Sequence, residues 1–143
     1  MKGNMTTKKS KKGSKAKSLP KLKADCQKIF NEFIRLRDAG LPCITCLEYK
    51  VLQAGHYYPT GGYDGLRFDE LNVNGECSHD NCFNEAHLIL YGEHLREKIG
   101  EENFLILKYR AEHYKKHGYK WSRTELEEKI AYYKDKVNQL KQE

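Results

Sequence analysis

The chain has 143 residues, of which 38% are hydrophobic and 32% charged, with a formal net charge of +6 and five cysteines. That length suits one domain with a modest core. No apolar run is long enough to span a bilayer, and the N-terminus lacks the apolar core of a signal peptide. Membrane and secreted classes are therefore excluded, and a soluble cytoplasmic protein is expected. In that compartment five cysteines favour metal binding over disulfides.

The charge is uneven. Residues 1–23 carry nine of the 26 basic side chains and no acid, so the remainder holds 17 basic against 20 acidic side chains, a net of −3. Residues 1–18 are low in complexity and almost free of large apolar side chains, and are expected to form a disordered Lys-rich tail. Such a tail holds a polyanion through counterion release without reading its sequence. Alone, it serves equally well as a solubilising extension.

From residue 19 a single domain is expected, with an N-terminal helix over 19–40, a metal-stapled core over 41–100 and C-terminal helices over 101–143. Leu22, Cys26, Ile29, Phe30, Phe33 and Ile34 recur at helical steps, until Gly40 and Pro42 end the pattern. Cys26 falls on the apolar face and reads as a buried free thiol. Residues 43–82 are turn-rich. A strand within 49–58 delivers His56 near its end, PTGGYDG (59–65) is a loop, 66–68 is briefly extended, and a second strand runs from Val73 into Cys77. After Cys82 the helical period returns with Leu88, Tyr91, Leu95 and Ile99 and stops at Gly100. Another helix covers 101–116. Ser122 and Glu125 form a capping box opening the last helix, whose stripe of Leu126, Ile130, Tyr133, Val137 and Leu140 is expected to pack on the N-terminal helix.

The chemistry concentrates between Cys43 and His87. Cys43-x2-Cys46 and Cys77-x4-Cys82 supply four soft ligands for a tetrahedral structural Zn²⁺. His79, lying inside the second pair, is an alternative to one of those cysteines. Structural zinc contributes roughly 10–16 kcal/mol of apparent binding energy in small folds. With four protein ligands it keeps no open position for catalysis.

Phosphodiester hydrolysis needs an activated water and a cation that stabilises developing charge. His56 has the imidazole to take a proton near neutral pH. Asn72 has an amide that both donates and accepts, suited to fixing a loop or a ring. His87, early on the helix after Cys82, offers a ring nitrogen to a divalent cation. Arg67, Tyr57, Tyr58 and Tyr63 are candidate nucleic-acid contacts, since tyrosines stack on bases.

These residues lie in motifs that together resemble a known family: FNEFIRLRD (30–38), LPCITC (41–46), QAGHY (53–57), LRFDELNVNGEC (66–77) and YGEHLREKIG (91–100). The set resembles the recombination nucleases of the phage lambda Rap family, also called NinG, within the broader HNH endonucleases. The resemblance runs from about residue 19 to the C-terminus. It implies an α+β fold with a zinc-stapled treble-clef, ββα-metal core flanked by several helices. It further implies a hydrolase, a structure-specific DNA endonuclease that cuts branched recombination intermediates such as Holliday junctions and D-loops with Mg²⁺ or Mn²⁺.

By the same resemblance His56 is the general base, Asn72 a positioning residue and His87 a ligand of the catalytic cation. DNA is the implied partner, a homodimer is compatible with the outer helices, and the site of action would be the host cell cytoplasm. HNH sites commonly carry an acidic residue or histidine just before the base. Here Gln53, Ala54 and Gly55 stand there, which leaves the second ligand of that cation open among Asp69, Glu70 and Tyr91. The competing readings are a non-catalytic zinc module that binds nucleic acid and, further off, a zinc-stabilised protein adaptor.

Overall fold

The computed structural model describes residues 15–83 and 86–143, so residues 1–14, most of the expected tail, lie outside the described residues. The described residues form a mostly helical α+β protein with one two-stranded sheet. Among the described residues no helix is long and apolar enough to cross a membrane.

Helix α1 (Leu19–Arg37) begins at Ser18, whose hydroxyl accepts the Lys21 N–H at 3.3 Å, with Pro20 in its first turn. It ends three residues before the expected limit: Asp38 N–H closes on Ile34 O at 3.0 Å, and Gly40 follows with φ +85°. The last helix, α5 (Arg123–Lys141), opens with the full reciprocal capping box of Ser122 and Glu125. Its Leu126, Tyr133 and Val137 bury against Leu22, Cys26, Phe30, Phe33 and Ile34 of α1, as the stripe anticipates. Phe30 meets the Tyr133 ring edge-on, with centroids 4.9 Å apart. Cys26 is fully buried in this core, and burial pushes its thiol up to about 11.

Strands β1 (Leu52–His56) and β2 (Val73–Cys77) form an antiparallel hairpin with register Leu52↔Cys77 to His56↔Val73. β1 is shorter than the expected 49–58, and Tyr49 and Val51 before it stay exposed. Side chains alternate across the hairpin. Ala54 and Val73 join the α1–α5 core, so the face with Gln53, Gly55, Asn74 and Glu76 looks the other way.

Where an extended 66–68 segment was expected, the chain instead makes a 3-10 turn at Asp64–Leu66. Leu66 N–H bonds Tyr63 O at 2.9 Å, and the Trp121 indole N–H donates to Asp64 O at 3.0 Å, so tertiary contact holds the turn. A short helix, α2 (Ser78–Phe83), fills the interval between Cys77 and Cys82, within the stretch whose sequence reads as turn-rich. Helices α3 (His87–Ile99) and α4 (Glu101–His117) then turn about Gly100, whose φ is +84°. They enclose a second apolar cluster with Tyr91, Leu95, Phe104, Leu107 and Ala111 around Ile44 and Leu66.

Asp38 ties these parts together. It is 2% exposed, and its Oδ2 accepts from Gly75 N–H at 2.8 Å, Lys98 Nζ at 2.9 Å and Arg37 at 3.0 Å. The end of α1, the middle of β2 and the end of α3 thus meet at one carboxylate. Burial opposes its ionisation, but the bonds from Arg37 and Lys98 outweigh that and hold the carboxyl below the usual carboxylate range. A carboxyl depressed on folding contributes stability above its unfolded pKa, about 3.9, and loses it as pH falls through the lower folded value. Asp38→Ala is expected to lose about 3 kcal/mol in urea unfolding at pH 7, because two cations and a buried N–H lose their partner. The gap between variant and wild type should narrow as the pH is taken below about 4.

Candidate metal centre and histidine sites

The turn Cys43–Cys46 lies against the end of β2. Cys43 N–H bonds Glu48 O and Leu47 N–H bonds Cys43 O, both at 2.9 Å, and Leu47 takes φ +60° to close the turn. Ile44 N–H reaches Gly75 O at 3.0 Å, and His94 Nδ1 donates to Ile44 O at 2.6 Å. Hairpin and α3 therefore grip the turn from two sides.

Cys43, Cys46, Cys77 and Asp80 converge, with one ligand atom from each and all four atoms within 4.8 Å of one another. Asp80 Oδ2 stands 3.3 Å from Cys43 Sγ and 3.1 Å from Cys77 Sγ. A tetrahedral ion with zinc–sulfur bonds near 2.3 Å has sulfur–sulfur edges of about 3.8 Å and sulfur–oxygen edges of about 3.5 Å. The cluster is thus of the size zinc requires. Burial first, then the thiol's hydrogen bonding to Asp80 and with Cys43, pushes the Cys46 thiol up to about 12, and the Cys77 thiol is raised by burial and the same neighbours. A bound divalent cation reverses that balance, because a coordinating thiol gives up its proton outright.

This arrangement differs from the expected ligand set. Cys82 is exposed and outside the group, and the fourth place is taken by Asp80. The reason is helical: with α2 beginning at Ser78, residues 80 and 82 lie about 200° apart around the axis. When Asp80 faces the cysteines, Cys82 faces away. His79 does not substitute either; its side chain is 73% exposed, with Nδ1 3.4 Å from Asp80 Oδ1. The signal was present in the sequence, since Cys77-x2-Asp80 repeats the spacing of Cys43-x2-Cys46.

His56 sits on the α1 side of the hairpin. Its Nε2 lies 3.0 Å from Arg67 O. A carbonyl only accepts, so Nε2 carries the hydrogen and Nδ1 keeps the lone pair. Burial lowers its pKa, against a smaller opposing effect of the Arg67 carbonyl, so the ring is held neutral. Arg67 itself is engaged, with Nε on Asp64 at 2.7 Å and a second nitrogen on Gln27 at 3.2 Å.

Asn72 is fully buried and clamps the loop after His56. Its Oδ1 accepts Tyr58 N–H at 2.8 Å, while Nδ2 donates to Tyr58 O at 3.0 Å and Leu66 O at 3.2 Å.

His87 faces the other side of the hairpin, donating from Nδ1 to Glu76 Oε2 at 2.8 Å. Among the described contacts none joins His56 to His87. The structure brings His87 to Glu76 instead, whose carboxylate also accepts from the Thr45 hydroxyl; the sequence singled out neither Glu76 nor Thr45. The three residues considered as further cation ligands are occupied elsewhere. Asp69 pairs with Arg110 at 2.8 Å, Glu70 accepts from Tyr133 at 3.2 Å, and Tyr91 donates to Gly55 O at 2.7 Å.

Tyr57 stacks on Tyr91 and rests on Gly92, where a Cβ would come within 2.8 Å of its hydroxyl. Tyr58 and Tyr63 line a surface groove with Lys108, Lys115 and Lys116, and Lys115 Nζ stands 5.2 Å above the Tyr63 ring.

Fold and site describe a small α+β protein whose hairpin and helices gather round a three-cysteine, one-aspartate cluster able to hold a metal such as zinc. A family model described as Bacteriophage Lambda NinG protein matches residues 2–143, and the chain belongs to that family. Curated relatives called Protein ninG agree over part of the chain. The one from Escherichia phage 933W is 41% identical over 78 residues, covering 53% of this chain and 39% of its own. That of Salmonella phage P22 is 42% identical over 76 residues, covering 52% and 37%, and that of Escherichia phage lambda 40% over 78 residues, covering 53% and 38%. The match thus spans about two fifths of each relative's length. No solved structure matches the chain.

The purified chain is expected to carry one zinc by elemental analysis, and Cys82→Ser to retain it. Asp80→Ala should weaken zinc in a competitive chelator titration by more than the roughly 10–100-fold that loss of an outer-shell partner costs.

Proposed function

We propose that the chain is a divalent-cation-dependent DNA endonuclease of the HNH type acting on branched recombination intermediates, Holliday junctions and D-loops among them. The observation that carries the reading is a hairpin locked to a helix beside the cysteine–aspartate cluster, with His87 on the first turn of that helix and His56 at the end of the strand on the opposite face. Membership of the NinG family supports it.

Each residue has work suited to it. The neutral His56 ring presents Nδ1 as the nitrogen that takes a proton from water, with Nε2 steadied by Arg67 O. Asn72 acts as a positioning residue, holding residues 57 and 58 and thereby the end of β1 that carries His56. His87 offers an imidazole to the cation. Mg²⁺ or Mn²⁺ would supply charge stabilisation at the phosphate and leaving oxygen. The zinc-type cluster is structural, because all four ligands come from the chain. The Tyr58–Tyr63–Lys groove joins aromatic faces to positive charge, the combination that suits unpaired nucleotides.

The alternative is a zinc module that binds nucleic acid without cutting it. A labelled four-way junction and a linear duplex, incubated with Mg²⁺, Mn²⁺ or EDTA, separate the two. Cleavage should need the cation, favour the junction and fall by at least about 100-fold in His56→Ala, the scale of a lost general base. Junction binding with no cleavage by the wild type would establish the alternative.

A further inference from the structure

Glu76 is fully buried, yet among the described residues only one of its carboxylate oxygens has a hydrogen-bond partner. Oε2 accepts from the Thr45 hydroxyl and from His87 Nδ1 at 2.8 Å. Oε1 is buried with no hydrogen-bond partner among the described residues. Buried polar atoms in folded proteins are nearly always paired, and a buried carboxylate oxygen with nothing opposite is a charge awaiting compensation.

Its position is also specific. Oε1 lies over Gly55, where a Cβ would come within 2.5 Å of it and within 2.9 Å of Glu76 Cβ. Strand β1 thus leaves empty the space that a carboxylate from β2 fills.

We propose that Glu76, reaching across the hairpin over Gly55, completes with His87 a site for a divalent cation of the Mg²⁺ or Mn²⁺ class, separate from the cysteine–aspartate cluster. Two protein ligands suffice for such an ion, which keeps several waters and takes phosphate oxygens as further ligands. Neighbouring ligands of an octahedral ion with bonds of 2.0–2.1 Å stand about 2.9 Å apart. Glu76 Oε2 and His87 Nδ1 are already 2.8 Å apart. A plain hydrogen bond from a neutral ring has the same length, but it leaves the buried carboxylate without a cation, whereas an ion in place of the shared hydrogen sets positive charge beside it. Thr45 then holds the carboxylate in orientation. The inference deepens the nuclease reading by naming the carboxylate that shares the cation with His87, and it rests on that reading only for the use to which the ion is put.

The test is a titration of the full, zinc-loaded chain with Mn²⁺, followed by electron paramagnetic resonance of the free ion. Wild type is expected to bind one Mn²⁺, with Glu76→Gln at least tenfold weaker and zinc content unchanged. Gly55→Ala keeps every ligand but displaces the carboxylate, and should weaken Mn²⁺ as well. His87→Gln removes the other ligand from the helix start with the same expectation, and decides the matter if Glu76→Gln does not keep its zinc. A wild type that binds no Mn²⁺, or Glu76 and His87 variants that bind it as the wild type does, would overturn the proposal. Mn²⁺ bound through Glu76 without junction cleavage would leave the site standing while the nuclease reading falls. Cleavage with Mn²⁺ binding indifferent to Glu76 would do the reverse.

Discussion

Three thiols and one carboxylate brought within reach of a single ion are the constraint from which the rest of the structure follows. Residues 41–51 and 78–82 contribute few large side chains to either apolar cluster, so apolar packing does little to hold the cysteine turn and α2. Zinc at such a site contributes roughly 10–16 kcal/mol of apparent binding energy, as much as the whole stability of an ordinary domain, about 5–15 kcal/mol. Once the turn is fixed, Ile44 bonds Gly75 and His94 bonds Ile44, so hairpin and α3 are set relative to each other. That setting delivers His87 to Glu76.

His56 and His87 lie on opposite sides of the hairpin. One is steadied by a backbone carbonyl near α1, the other by a buried carboxylate facing α3. Many of the body's cations are already engaged: Arg37 and Lys98 by Asp38, Lys23 and Arg67 by Asp64, and Arg110 by Asp69. Those pairs hold elements together rather than offering charge to a polyanion. Lys108, Lys115 and Lys116 gather instead beside Tyr58 and Tyr63, next to the loop that Asn72 clamps. A negatively charged body with a basic N-terminal stretch therefore also carries a groove in which three lysines face one acid, Glu112.

Much of the scaffold was legible from residue order because its causes are local. The Ser122–Glu125 box and the apolar stripe behind it specify α5 without reference to anything distant. The strand into Cys77 and the glycine at residue 100 were equally plain. What escaped depends on pairing. Asp80 repeats the x2 spacing of the front cysteine pair, but its side chain reads as a surface acid until α2 forms and turns it toward the cysteines. Glu76 reads as a polar strand residue until the register lays it over Gly55. Asp38 is an ordinary helix-end acid until Lys98, sixty residues on, reaches it. Each is a charge whose role is set by a partner far along the chain, and periodicity carries no trace of such partners.

X-ray absorption at the zinc edge of the purified full chain addresses the centre of this account most directly. Three sulfurs at about 2.3 Å and one oxygen at about 2.0 Å are the predicted shell. Four sulfurs would return Cys82 to the site and contradict the helical placement of Asp80, and with it the geometry that carries α3 to the hairpin.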